Sequence, residues 1–154
     1  MLKEKVFSYE QAMKSCLEYF NNNDLAATIF LDKYALKNIE GKLIEETPDD
    51  THKRLAKEFA RIEKSKFKNP LTENEIFKYL EGFKKIIPQG SPMFGIGNKY
   101  QYVSISNCFV LPSAVDSYGG ILFTDEQLVQ VSKRRGGVGH DVSNLRPINT
   151  PTKN

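Results

Sequence analysis

With 154 residues and 40% hydrophobic content, the chain is long enough for one ordinary domain with a real core and too short for a large multidomain enzyme. Its 22 basic and 19 acidic residues nearly balance at +3, so charge alone does not argue for a nucleic-acid partner. The start, MLKEKVFSYEQ, lacks a secretory apolar core, no apolar run approaches the roughly 18 residues that span a bilayer, and Cys16 and Cys108 form no CxxC pair. The expectation is a soluble, cytoplasmic protein with reduced thiols, and its two histidines do not support a His-rich metal site.

Taken in chain order, Ser8 with Gln11 forms a capping-box pattern, and Ala12, Cys16, Tyr19 and Phe20 recur on one helical face. This predicts a first helix with Cys16 buried. Asn21 to Asp24 makes a turn, and LAATIFLDKYAL predicts a second helix despite Thr28 and Ile29. The polar KNIEGKLIEETPDD, with Gly41, predicts a connection or short hairpin. Thr47, Pro48 and Asp50 then open a third helix with Leu55, Phe59 and Ile62 at helical spacing, leaving His52 among exposed residues. Thr72 and Glu75 open a fourth, whose apolar face is Ile76, Leu80 and Phe83. The first segment, residues 1–87, thus reads as a helical module.

The second segment, residues 88–154, changes character at IIPQGSPMFGIGN, where prolines and glycines argue against helix. YQYVSISNCFVL predicts a buried strand, and Asp116 and Ser117 open a helix to about Lys133, weakened at its start by Gly119 and Gly120. Strand, helix and glycine loop suggest a β/α unit of a larger α/β layer or barrel, because a lone pair of strands is marginal. Where KRRGGVGHDVSNLRP packs cations beside glycines, two readings stand: a loop that cradles a phosphate-bearing molecule, or a helix end with Gly136 as left-handed cap.

Candidate chemistry is sparse on residues alone. Cys108 in a strand fits either an inert core thiol or thiol redox chemistry at a ligand site. Asp116 fits a helix cap or a carboxylate accepting hydrogen bonds from sugar hydroxyls. His140 and Asp141 read as loop residues, since adjacency in sequence supplies no oriented partner. GSPMFGIGN carries a Gly-x-Gly without the dinucleotide or P-loop pattern, so a structural turn is its default.

Taken together, DLAATIFLDKYAL, TPDDTHKRLAKEFARIE, PQGSPMFGIGN, SISNCFVLP, DSYGGI and KRRGGVGHDVSNLRP resemble, in consistent order from about Ser8 to Asn154, the N-terminal part of ribonucleotide reductase large chains. The flavour is that of the adenosylcobalamin-dependent, class II enzymes. The resemblance implies an α/β fold in which an N-terminal helical module precedes the first strand and loops of a ten-stranded barrel, incomplete in this chain. It implies that Cys108 is the first of two reducing cysteines, that Ser91, Asn107 and Gly137 contact the ribonucleotide, and that Asp116, Arg146 and Tyr118 contact a deoxynucleoside triphosphate effector.

It further implies a homodimer of the assembled enzyme and a thiol reductant protein, with no nucleic acid or membrane partner. The chain is either a fragment or one piece of a split enzyme, and if split it needs a complementary C-terminal polypeptide carrying the radical cysteine. Alone, the chain is expected not to reduce ribonucleoside diphosphates. Two other readings stand beside it: a stand-alone, non-catalytic deoxynucleotide-binding or interaction module, and a helical interaction domain whose resemblance is a relic.

Overall fold

Ser8 opens the first helix as expected: its Oγ accepts from the Gln11 amide at 3.2 Å while the Gln11 side chain accepts from the Ser8 amide at 3.1 Å. In the computed structural model, which describes residues 5–151, this helix is α1 (Tyr9–Tyr19) with Ala12 and Cys16 buried. The outermost positions of the two expected segments, 1–4 and 152–154, lie outside the described residues. Asn23 caps α2 (Asp24–Ile29), its Oδ1 accepting from the Ala26 amide at 3.0 Å.

The second helix is shorter than expected. Phe30–Tyr34 widens into a π-helical turn closed by the Ala35 amide on the Phe30 carbonyl at 2.9 Å. Phe30 and Leu31 are both buried there, in a cluster with Ala12, Cys16, Ala27, Ala35 and Leu43. Gly41, at φ +77, turns the connection that follows, and Leu43 bridges antiparallel to both Phe7 and Lys37.

Helix α3 (Pro48–Lys66) begins where the Asp50 carboxylate accepts from the Glu46 and Thr47 amides at 3.1 and 3.3 Å. Its buried stripe runs through Thr51, His52, Leu55, Ala56 and Ala60, rotated from the expected Leu55, Phe59 and Ile62, so Phe59 is 37% exposed. Helix α4 (Glu73–Leu80) carries the expected Thr72–Glu75 box and packs Ile76 and Leu80 against that stripe. The rotation corrects the expectation for His52, which is fully buried with Nδ1 3.4 Å from Asp49. Gly82 and Phe83, both at positive φ, turn the Phe83 ring edge-on to His52 with centroids 4.6 Å apart.

The chain divides into two compact units after Tyr102, so the stretch 88–102 belongs with the helical unit here. Within it Gly90–Gly95 forms a short helix, α5, where no helix was expected. Pro92 sits in its first turn, where a missing N–H leaves no intrahelical bond broken.

The second unit is β1 (Cys108–Leu111), α6 (Tyr118–Ser132) and β2 (Gly137–His140), the two strands pairing in parallel. Ser117 caps α6 by accepting from the Gly120 amide at 3.0 Å. The expected long strand shrinks to four residues, and Tyr102 and Ile105 ahead of it are exposed. The fold is therefore a helical module followed by the open beginning of an α/β barrel. Among the described residues no helix is long and apolar enough to cross a membrane.

Burial pushes the His52 pKa below its ordinary value, against the opposing pull of Asp49. A base whose folded pKa lies below the unfolded one leaves stability intact above about pH 6.5 and erodes it as pH falls toward the folded value. The melting temperature should fall between about pH 7.5 and 5.5, where carboxylates remain largely ionised, and His52→Gln should flatten that slope. An unchanged slope in the variant would place the titration elsewhere.

Candidate functional site

Alternation along β1 divides its side chains between two faces. Phe109 turns toward α6, since a Cβ on Gly136 would stand 2.9 Å from its ring and 2.6 Å from Val131 Cγ1. Cys108 and Val110 take the other face, and both are exposed. The register sets Cys108 opposite Gly137 and Val110 opposite Gly139. One face of the sheet is thus bare backbone on β2 with a thiol and a valine beside it. Nothing lies within 4 Å of a Cβ built on Gly139, so the face is open beside Val110, whereas a Cβ on Gly137, beside the thiol, would stand 3.1 Å from the Asn107 carbonyl oxygen.

The Gly137 amide donates to the Asn107 carbonyl at 2.6 Å. That amide is therefore engaged in the ladder, and what Gly137 gives the open face is its missing side chain. Cys108 lies at the first residue of its strand, not at the C-terminal end where ligands of β/α sheets commonly bind.

Beyond the other end of the strands, the Arg146 guanidinium donates from Nε to Asp116 Oδ2 at 2.7 Å and from Nη2 to the Asp116 carbonyl at 3.3 Å. The structure thus brings together two of the three residues expected to hold an effector. Asp116 does not cap α6, because Ser117 does. Tyr118, the first residue of α6, is 89% exposed.

The glycine-rich stretch resolves into a helix end and a strand. Gly136 is not the left-handed cap: Arg135 takes that conformation, at φ +66. Gly136 is required instead by the close approach of Phe109 and Val131. Arg134 folds back, donating to the Gln130 carbonyl at 2.8 Å, so the basic run is partly used in ending α6. His140 closes β2, and Asp141 accepts from the Ser143 amide and hydroxyl, bonds that hold its carboxyl below the usual range.

Ser91 lies in the helical unit, buried in the first turn of α5. The sequence reading missed the pair that holds this helix, Glu45 and Arg54, whose Nε and Oε1 stand 2.6 Å apart. The available signal was a glutamate placed just ahead of a capped helix and an arginine on the flank of that helix's buried stripe.

The two thiols have opposite environments. Cys16 is buried, its Sγ donates to the Glu46 carbonyl at 3.0 Å, and burial with the nearby Glu46 and Asp50 pushes its pKa up to about 12. Cys108 is exposed.

Against known families, residues 20–101 match the ribonucleotide reductase all-alpha domain and residues 106–154 match the ribonucleotide reductase barrel domain. No curated protein matches the chain.

At about pH 8, iodoacetamide should label Cys108 and spare Cys16 until the fold is denatured. Peptide mass mapping checks this, and comparable labelling of both cysteines in the folded chain would contradict the arrangement described.

Proposed function

Because the chain belongs to the ribonucleotide reductase family, we propose that it supplies the helical domain and the opening of the barrel to a class II, adenosylcobalamin-dependent reductase of ribonucleoside diphosphates. The single observation that carries this reading is the open sheet face on which Cys108 stands opposite the backbone of Gly137. A reducing thiol needs a rigid element, access to solvent-borne reductant and space for a sugar beside it. In support, Cys108 is exposed on a hydrogen-bonded strand, opposite a residue that has no side chain.

In the proposed reaction a thiyl radical on another part of the enzyme removes the 3′ hydrogen of the ribose. Cys108 and a second cysteine then supply two electrons and two protons. The C2′–O bond breaks and the oxygen leaves as water, an S–S bond forms between the two cysteines, and the 3′ hydrogen is returned. A thiol reductant protein reopens the disulfide for the next turnover. Neither the second cysteine nor the radical cysteine is assigned to a residue of this chain, and the proposed reaction requires the rest of the barrel that carries them.

Adenosylcobalamin enters the proposal as the radical source of the class. Among the described residues no group of three or more His, Cys, Asp or Glu side chains could hold a metal ion, and no residue of this chain is assigned to the cofactor. The Asp116–Arg146 pair with Tyr118 is proposed as part of a specificity site at a homodimer interface. There, a deoxynucleoside triphosphate would replace the internal ion pair with contacts to its own sugar and phosphates.

In the assembled reductase, Cys108→Ser should cut multiple turnover by roughly a thousandfold or more while leaving nucleotide affinity within about twofold, since the hydroxyl is nearly isosteric but cannot form the disulfide. Steady-state turnover and equilibrium nucleotide binding measure the two arms. Turnover at the unsubstituted rate would remove Cys108 from the mechanism.

A further inference from the structure

Arg54 and Glu45 take no part in the sheet chemistry, yet their side chains are only 11% and 5% exposed. Burying such a pair is costly unless every lone pair and proton finds a partner. Glu45 Oε2 accepts from the Leu36 amide at 2.9 Å, the Thr51 hydroxyl at 2.7 Å and Arg54 Nη2 at 3.3 Å, while Oε1 accepts from Arg54 Nε at 2.6 Å. The guanidinium is therefore fixed in plane and in rotation.

Its remaining edge faces α5. Nη2 donates to the Met93 carbonyl at 2.9 Å and Nη1 donates to the Ile96 carbonyl. These carbonyls belong to the end of a six-residue helix, where intrahelical partners run out. The arginine satisfies them and sets positive charge at the negative helix end. Gly97 then passes directly over the arginine stem: a Cβ there would lie 2.9 Å from Arg54 Cγ, and its φ is +72. At the opposite end of α5, Gly90 rests against the Tyr34 ring, 3.1 Å from where a Cβ would be. A single isolated turn and a half of helix has no stability of its own, so its position is set by these clamps. Ser91 lies between them, 6% exposed.

We infer that Arg54, locked by Glu45, is a positioning residue for the ribonucleotide: it fixes the short helix that presents Ser91. The inference rests on the reading that Ser91 contacts the nucleotide. Lysine at position 54 keeps the charge beside Glu45, but one ammonium cannot reproduce a planar fork that bridges a carboxylate and two carbonyls.

The test compares Arg54→Lys and Ser91→Ala in the reductase assembled with its remaining barrel, reading KM and kcat for a ribonucleoside diphosphate and hydrogen exchange across residues 89–98. Arg54→Lys should raise KM about tenfold with kcat within about twofold. The Ile96 and Asn98 amides, which bond to the Pro92 and Gly95 carbonyls, should exchange faster while α3 and α4 stay protected. The double variant should be no worse than Ser91→Ala alone, because both act through one contact.

A KM raised by Ser91→Ala but unmoved by Arg54→Lys overturns the inference and leaves the proposed function standing. A Ser91→Ala variant with unchanged KM sinks the role of Ser91 and the inference with it. Should Arg54→Lys also strip protection from α3 and α4, Gly97→Ala provides the second arm. It crowds the arginine without deleting the ion pair, and must reproduce the KM rise for the inference to survive.

Discussion

A buried carboxylate, Glu45, organises the helical unit. An ionised group with only 5% side-chain exposure must recover its lost hydration from fixed donors. Here those donors are the Leu36 amide, beyond the π-helical turn, and the Thr51 hydroxyl and Arg54 guanidinium of α3, and Arg54 in turn donates to the carbonyls of α5. The two apolar clusters of the unit would leave these elements free to slide, since hydrophobic contact is not directional. The charged network supplies direction. Removing one partner from such a pair typically costs about 3–5 kcal/mol, because the other remains buried and unpaired.

The second unit obeys a different constraint. Parallel sheets are ordinarily covered on both faces, and two short strands have marginal stability by themselves. Helix α6 covers one face of β1 and β2 through the packing of Phe109, Gly136 and Val131. The other face leaves Val110 88% exposed, and on α6 itself Leu122 and Phe123 are more than half exposed. That pattern is what the opening of a barrel presents before further strands and helices lie against it. The feature that makes the unit marginal, an uncovered face, is also what leaves Cys108 accessible.

Legibility in the sequence followed distance along the chain. The caps at Ser8, Thr72 and Ser117 depend on partners three residues away, and all three were readable from local residue types. The Arg54 contact to Met93 spans 39 residues, and no local pattern announces it. His52 was misjudged because polar identity suggested solvent, while the stripe that packs on α4 rotates it inward. A left-handed cap was one of two readings for Gly136, suggested by that residue's commonest use, whereas Arg135 carries the positive φ and the glycine makes room for an aromatic ring. At the site, neither the strand position of Cys108 nor the acid before α6 identified a function by itself. The ordered set of motifs pointed to the family, and the sheet register places Cys108 and Gly137 side by side.

That register bears on how a specificity signal would reach a reducing centre. Gly137 begins β2 beside Cys108, and Arg146 follows shortly after the end of the same strand. At about 3.3 Å per residue the paired segment spans only about 10 Å. Arg146 is held by Asp116, which follows β1 just as Arg146 follows β2, so their ion pair closes the far end of both strands. On the proposed reading, an effector that draws these two side chains onto its phosphates and sugar acts on both strands at once. Hydrogen-bonded strands resist sliding past each other, because a one-residue slip would reverse every side chain. The smaller motion left to them is a change in tilt or spacing at the end where Asn107, Cys108 and Gly137 meet. A glycine-backed face is sensitive to such motion, since the substrate would rest on main chain with no flexible side chain to absorb the shift.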